Sequence, residues 1–387
     1  MKQILVVGAG REGKGYLGEV FCQGGWHVTF LDADAQVIQA LQTGAYEVRE
    51  YRADATVVCR VSGYDAITYE DTAALSNAVM AADIIAFCLY PGDIANALDR
   101  LMGDLKKRAF QCPQKPLALF PCTNENRLIP QMRSQIMNAF TPEEQQWLQK
   151  NVTLSDAIVR RPVGAQSSAS LSLEAGVVCP MLVGEPVCVD MTGVPWMQTC
   201  SENMEILKDL KVHTINTAHA ATAYAGYQKG YQFIDQAKAD PEIQALNDGV
   251  LAESVPVLAK VFGVSEKSLW DLAVFPDSKD AFCDPIVRVA YDPLRKLSRH
   301  DRLTENAVLC RDHGVDPHFL IYAMACGMAY DFADDPAAQK IQELIQTLGI
   351  NAAIARVTQL DENDELTARV AEEWRKITKK QCLEENK

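Results

Sequence analysis

Residues 4–15 read ILVVGAGREGKG, an apolar run from Ile4 to Val7 that ends in Gly8, Gly10 and Gly13 at G-x-G-x-x-G spacing. The run fits a buried strand, and helical periodicity sets in from about Glu12, so the glycines occupy a strand-to-helix turn. Each glycine answers a different need there. The first permits the tight turn, the second lets backbone approach a pyrophosphate, and the third lets helix and strand pack closely. The helix start turns unpaired amides and a positive dipole end towards the same point, which is a place for phosphates. The competing reading is a glycine-rich turn that holds nothing.

The next strand, HVTFLD, ends at Asp32. An acid at that distance accepts hydrogen bonds from the adenosine ribose hydroxyls and repels a 2′-phosphate. The pattern therefore predicts NAD rather than NADP, with Arg11 and Lys14 as the two charges that lean the other way. Arg11 and Glu12 within the loop, and Tyr90 at the end of DIIAFCLY, complete the expected cofactor contacts beside Gly8, Gly10, Gly13 and Asp32. The strand PLALFPC runs out just before Asn124, where the carboxyl ends of strands form a ligand crevice in open α/β sheets.

Short apolar runs alternate with helix-period stretches through the first half, which predicts an α/β, Rossmann-type domain with a parallel sheet covered on both faces. Segments 46–52 and 55–61 alternate Val and Tyr with charges and read as extra strands, and strand-like pattern continues from Val152 to about Asp190. After Pro195 helical period dominates. TGVPW, Thr192 to Trp196, interrupts both periods, so the reading is an NAD-binding domain over 1–194 and a mainly α-helical substrate and catalytic domain over 195–387.

A net charge of -14 argues against nucleic acid or an anionic membrane as partner. No segment approaches the roughly 20 apolar residues of a membrane span, and MKQILVVGAGRE does not read as a secretory signal. Twelve cysteines stand without a CxxC pair or His/Cys ligand spacing, which predicts no metal. A cytoplasmic enzyme of small molecules, monomeric or weakly self-associating, is the expectation.

KVHTINTAH sets Lys211, Asn216 and His219 at K-x4-N-x2-H. On one helix turning about 100° per residue, Lys211 and His219 point about 80° apart with Asn216 about 60° further on, so all three share a broad face. The small, uncharged stretch AHAATAYAGY would desolvate the lysine and lower its pKa. A lysine base and an asparagine donor suit alcohol oxidation by hydride transfer. The plainer alternative is a surface lysine, a capping asparagine and a core histidine. Further on, Arg288, Arg295, Lys296, Arg299 and Arg302 crowd VRVAYDPLRKLSRHDRL, a basic cluster suited to an anionic substrate, or else a solvated face paired with Asp292 and Asp301.

Together VVGAGREGKGYLG, KVHTINTAHAATAYAG and PLRKLSRHDRL resemble the polyol-specific long-chain dehydrogenases, the mannitol dehydrogenase family, over essentially the whole chain. The resemblance implies an NAD-dependent oxidoreductase interconverting a polyol phosphate and a ketose phosphate without a metal. It implies Lys211 as general base, Asn216 holding the substrate oxygen, His219 orienting the hydroxyl or the lysine, and Asn124 completing the oxyanion site. Arg288 and Lys296 match a substrate-binding pair eight residues apart, with Arg295 and Arg302 as further phosphate contacts. The chain departs from the family at SDAIVRRPVG, where Val159 stands at an aspartate, Arg160 is retained, Asp156 lies three residues away and Arg161 adds a charge. Two alternatives therefore stay open: a dehydrogenase of an unphosphorylated polyol or a sugar acid of the altronate or mannonate type, and a catalytically silent dinucleotide-binding sensor.

Overall fold

The computed structural model describes residues 1–52, 54–123, 125–273 and 284–384, with side chains through residue 379. The described chain forms two compact units, Met1–Lys208 and everything from Asp209 onward.

The first unit is built on β1 (Gln3–Val7), β2 (His27–Asp32), β3 (Ala45–Tyr51), β4 (Thr56–Ser62), β5 (Asp65–Thr68), β6 (Ile84–Phe87), β7 (Leu117–Pro121) and β8 (Val152–Leu154). Six of these make one parallel sheet in the order β5-β2-β1-β6-β7-β8. Side chains alternate across a strand, so Ile4 and Val6 of β1 enter one core while Leu5 and Val7 enter the other. Burial on both faces is why β1 is apolar at each of these positions. Helices α1 (Glu19–Gln23), α2 (Ala35–Leu41), α3 (Thr72–Ala81), α4 (Pro91–Gln111), α5 (Leu128–Ala139) and α6 (Pro142–Asn151) accompany the sheet. Strand order reverses beside β1, and the crevice of such a sheet opens at the carboxyl end of that strand.

The two extra strands are β3 and β4, antiparallel from Ala45↔Ser62 to Tyr51↔Thr56. They join β10 (Val163–Gly164) and β11 (Ser172–Ala175) in a second sheet, while β9 (Ala157–Ile158), β12 (Met181–Gly184) and β13 (Met197–Cys200) form a third. Helix therefore resumes at Met204 and not directly after Pro195, because β13 still pairs with β12.

The helix after the glycine turn also departs from expectation. Residues Gly13–Gly18 are π-helical and run into α1. A π turn withholds carbonyls from the ordinary i→i−4 ladder. Here Tyr46 Oη donates to the Lys14 carbonyl at 2.7 Å and Arg161 Nη1 to the Gly15 carbonyl at 2.8 Å.

Helix α7 (Met204–His213) leads into the second unit, whose described residues contain no further strand. It holds α8 (Ile215–Gln228), α9 (Ile234–Ala239), α10 (Pro241–Phe262), α11 (Glu266–Ala273), α12 (Ile286–Ala290), α13 (Pro293–Lys296), α14 (Arg302–Asp312), α15 (His318–Met328), α16 (Pro336–Leu348), α17 (Ile350–Thr358) and α18 (Glu365–Glu384). Ala220, Ala221, Ala223 and Ala225 keep α8 slim on all sides, and it is buried among α10, α12 and α15. No described helix is long and apolar enough to cross a membrane.

Candidate active site

The glycine turn is determined by backbone crowding. Gly8 has φ 99°, and a Cβ there would stand 2.3 Å from the Cys88 carbonyl oxygen. A Cβ on Gly13 would stand 2.1 Å from the Gly8 carbonyl oxygen, whereas one on Gly10 would meet nothing within 4 Å. Gly8 and Gly13 thus close the turn, and the open space at Gly10 is where a ligand's phosphates would need bare backbone. Asp32 braces the same turn: Ala9 N donates to its Oδ2 at 2.7 Å and Asp34 N to its Oδ1 at 2.9 Å. Carboxylate oxygens carry more lone pairs than these two bonds use, so acceptor capacity remains at Asp32.

Among the other expected cofactor contacts, Arg11 is exposed, Glu12 is half-buried, and Tyr90 stands 84% exposed at the start of α4. Lys14 is turned inward. Its Nζ donates to the carbonyls of Ser168 at 2.6 Å and Ser170 at 2.9 Å, and burial pulls its pKa down to about 8 against the influence of Asp32. Its ammonium is thereby spent on protein carbonyls. Asn124 lies outside the described residues.

Lys211, Asn216 and His219 do not share one helix. Lys211 is in the last turn of α7, and Asn216 and His219 are on α8; Thr214, at φ -110° and ψ -93°, breaks the chain between them. The single-helix phase assumed for all three therefore holds only for the Asn216–His219 pair. Asn306 accounts for the break. Its Nδ2 donates to the His213 carbonyl at 2.7 Å, and its Oδ1 lies 2.9 Å from His213 Nδ1.

Burial drops the His219 pKa to about 3, and Lys238, Arg288, Arg302 and Lys211 push it the same way. The ring is neutral at ordinary pH, a hydrogen-bonding group and not a proton carrier. Lys238, on α9, escaped the sequence reading because it sits alone among residues of ordinary surface composition. A lone lysine carries no signal until the fold brings other cations to it.

The basic cluster is largely engaged with the protein itself. Arg288 pairs with Asp284, and Arg295 with Asp292 at 3.1 Å and Asp301 at 3.2 Å. Arg302, 9% exposed, donates from Nε to Asp301 at 2.6 Å. Lys296 is buried and donates to the carbonyls of Val289, at 2.8 Å, and Tyr291; burial and the charges of Arg302 and Arg295 lower its pKa to about 8. Arg299 pairs with Glu305.

Around the family departure, Val159 packs beside the core of the first unit. Asp156 is buried, with Oδ1 accepting from Lys208 Nζ at 2.5 Å while Oδ2 has no partner. Burial raises its pKa against the pull of Lys208. Arg161 adds no free charge, contrary to the sequence reading. It is fully buried between Glu19 at 2.5 Å and Glu50 at 2.9 Å. Among the described residues no group of three or more His, Cys, Asp or Glu could hold a metal ion.

Residues 2–181 match the profile of the mannitol dehydrogenase Rossmann domain, and residues 203–378 that of the mannitol dehydrogenase C-terminal domain. The chain belongs to the mannitol dehydrogenase family. As an oxidoreductase of that family it is 26% identical over 390 residues to a mannitol-1-phosphate 5-dehydrogenase of Thermoanaerobacter pseudethanolicus, covering 97% of this chain and 98% of that protein. A protein of the same name from Caldanaerobacter subterraneus is also 26% identical, over 391 residues with the same coverage. Pseudomonas fluorescens mannitol 2-dehydrogenase, solved as a ternary complex with NAD and D-mannitol, shares the mannitol dehydrogenase fold at TM-score 0.65 and 15% identity, over 99% of this chain and 94% of that one. A substrate-free D-sorbitol dehydrogenase aligns at TM-score 0.68 and 15% identity, over 91% and 94%.

Proposed function

We propose that this chain is an NAD-dependent dehydrogenase that interconverts a polyol phosphate and a ketose phosphate, with Lys211 as general base. The observation that carries the reading is the basic neighbourhood of His219, where Lys238, Arg288 and Arg302 act on one ring in a chain of net charge -14, Arg288 and Arg302 being also paired with Asp284 and Asp301. Such a field favours an anionic substrate. Asp32 supports NAD, since its carboxylate faces the glycine turn and would repel a 2′-phosphate.

Bound nicotinamide supplies the hydride acceptor. The protein's part is acid–base and electrostatic. Lys211, in its neutral form, takes the proton of the substrate hydroxyl, and the Asn216 amide donates to the oxygen as charge develops on it. His219 stays neutral and orients the hydroxyl by a hydrogen bond. NADH formation across a panel of polyol phosphates, with the parent active and Lys211→Met silent, is the result this reading requires. Undiminished turnover in Lys211→Met excludes the lysine as base.

An unphosphorylated polyol or a sugar acid is the second reading, favoured by the protein partners already held by Arg295 and Lys296. Under it, neutralising Arg295 and Arg302 leaves the Michaelis constant nearly unchanged; under the first it rises steeply.

A further inference from the structure

Three arginines of the first unit lie inside the fold, and two of them hold three or more hydrogen bonds each, although the Nε of Arg108 is itself unpartnered. Arg161 has Glu19, Glu50 and the carbonyls of Gly15 and Gly176. Arg108 donates to the carbonyls of Val79, Met80 and Pro116 at 2.6 to 2.9 Å. Arg160 is different. It is 7% exposed, yet its one hydrogen bond is a long contact from Nη2 to the Pro180 carbonyl at 3.3 Å. Its Nε is buried without a partner, Nη1 bonds to no described residue, and no described carboxylate pairs with it. A guanidinium cannot shed its charge at any ordinary pH, so its burial is unfavourable until enough acceptors meet it; Arg108 finds them in three carbonyls, and Arg160 has one long contact.

The location fits a ligand. The bridge Cys122↔Ala157 extends the parallel ladder one residue past the carboxyl end of β7, and Arg160 follows three residues later. It therefore lies off the end of the sheet that carries the glycine turn. Its neighbours Tyr16 and Cys179, both buried and close enough to feel its charge, bring no ionised acid.

We infer that Arg160 is an anion-binding residue that receives the oxyanionic end, phosphate or carboxylate, of the sugar-derived substrate. The fork of two N–H groups suits either oxyanion bidentately. The inference rests on the proposed function only for the substrate being sugar-derived; the unpaired guanidinium stands independently of it.

Full-length protein and Arg160→Met are to be compared by thermal unfolding in anion-free buffer, then titrated with inorganic phosphate and with gluconate, with NADH affinity followed by fluorescence. In anion-free buffer Arg160→Met should melt no lower than the parent, because an unpaired buried charge has been removed. Phosphate or gluconate should raise the melting temperature of the parent, with an apparent Kd at least about ten-fold tighter than for the variant. NADH affinity should be the same in both. Whichever of phosphate and gluconate binds more tightly identifies the group on the substrate. The inference is overturned if Arg160→Met fails to fold or melts lower, since the guanidinium is then structural. It is equally overturned if neither anion binds the parent, if both bind parent and variant alike, or if NADH affinity falls with anion affinity, since the anion is then the cofactor's. Turnover does not enter, so a parent inactive on every polyol phosphate defeats the proposed function and leaves this result intact.

Discussion

The Asn306 amide holds His213 twice, donating to its carbonyl at 2.7 Å and meeting its Nδ1 at 2.9 Å. Only the amide nitrogen can donate to a carbonyl, so Oδ1 faces the ring and Nδ1 must carry the proton. The proton on Nδ1 is thereby fixed; burial lowers the pKa of the ring, while the bond to Asn306 pulls it the other way. The same amide reaches Thr217 Oγ1 and Ser254 Oγ, both at 3.3 Å, and so ties α8 and α10 to the break after α7. Asn306→Leu leaves the His213 ring and carbonyl unpaired and should cost about 2–3 kcal/mol. Urea unfolding measures the loss; a midpoint equal to the parent's would remove Asn306 as the lock of this junction.

Two glycines of the turn should separate binding from folding. Gly10→Ala adds a methyl in open space, so the melting temperature should hold while NADH binding weakens by an order of magnitude or more. Gly13→Ala drives its Cβ against the Gly8 carbonyl and should lower stability by about 1–3 kcal/mol as well. Calorimetry with and without NADH distinguishes them, and equal melting temperatures for both variants would contradict the crowding argument.

Arg161 neutralises two buried carboxylates, and Arg161→Met should therefore cost about 3–5 kcal/mol near neutral pH. The pH dependence has a definite sign. Burial raises the Glu19 pKa above its ordinary 4.5 while Arg161 pulls it back, and the variant lets it rise further. A carboxyl raised in the folded state favours folding in acid and loses that contribution as pH climbs through the raised value. In denaturant titrations the stability gap between parent and variant should widen as pH rises above the ordinary 4.5 of a glutamate. A constant gap would show that Glu19 does not take up a proton in the variant.

His219 gives an acid limb of the opposite sense. Its folded pKa lies near 3 against an ordinary 6.5, so its stabilising contribution is complete above 6.5 and is lost as pH falls from there towards 3. His219→Gln should flatten melting temperature against pH in that window. If the two curves run parallel, the ring is not held neutral by its surroundings.

The sequence by itself determined what local pattern can encode. Continuous apolar runs, buried on both faces, wrote the strands of the parallel sheet, and a turn with no room for Cβ atoms on Gly8 and Gly13 required glycine there, so sheet and turn were legible together with Asp32 at the next strand's end. The two added strands at β3 and β4 were legible from a different signal, Val and Tyr alternating with charges. Tertiary structure alone decided the rest. The π turn at Gly13–Gly18 depends on Tyr46 and Arg161 reaching its carbonyls, and the break that separates Lys211 from Asn216 depends on Asn306, 93 residues beyond His213. Charge letters likewise do not say where a cation points. Arg161 and Lys14 turned inward, Lys238 joined a cluster that spacing never hinted at, and Arg160 was buried without a counterion. Periodicity and steric need act between chain neighbours, whereas hydrogen bonds and ion pairs are chosen by whatever the fold brings within reach.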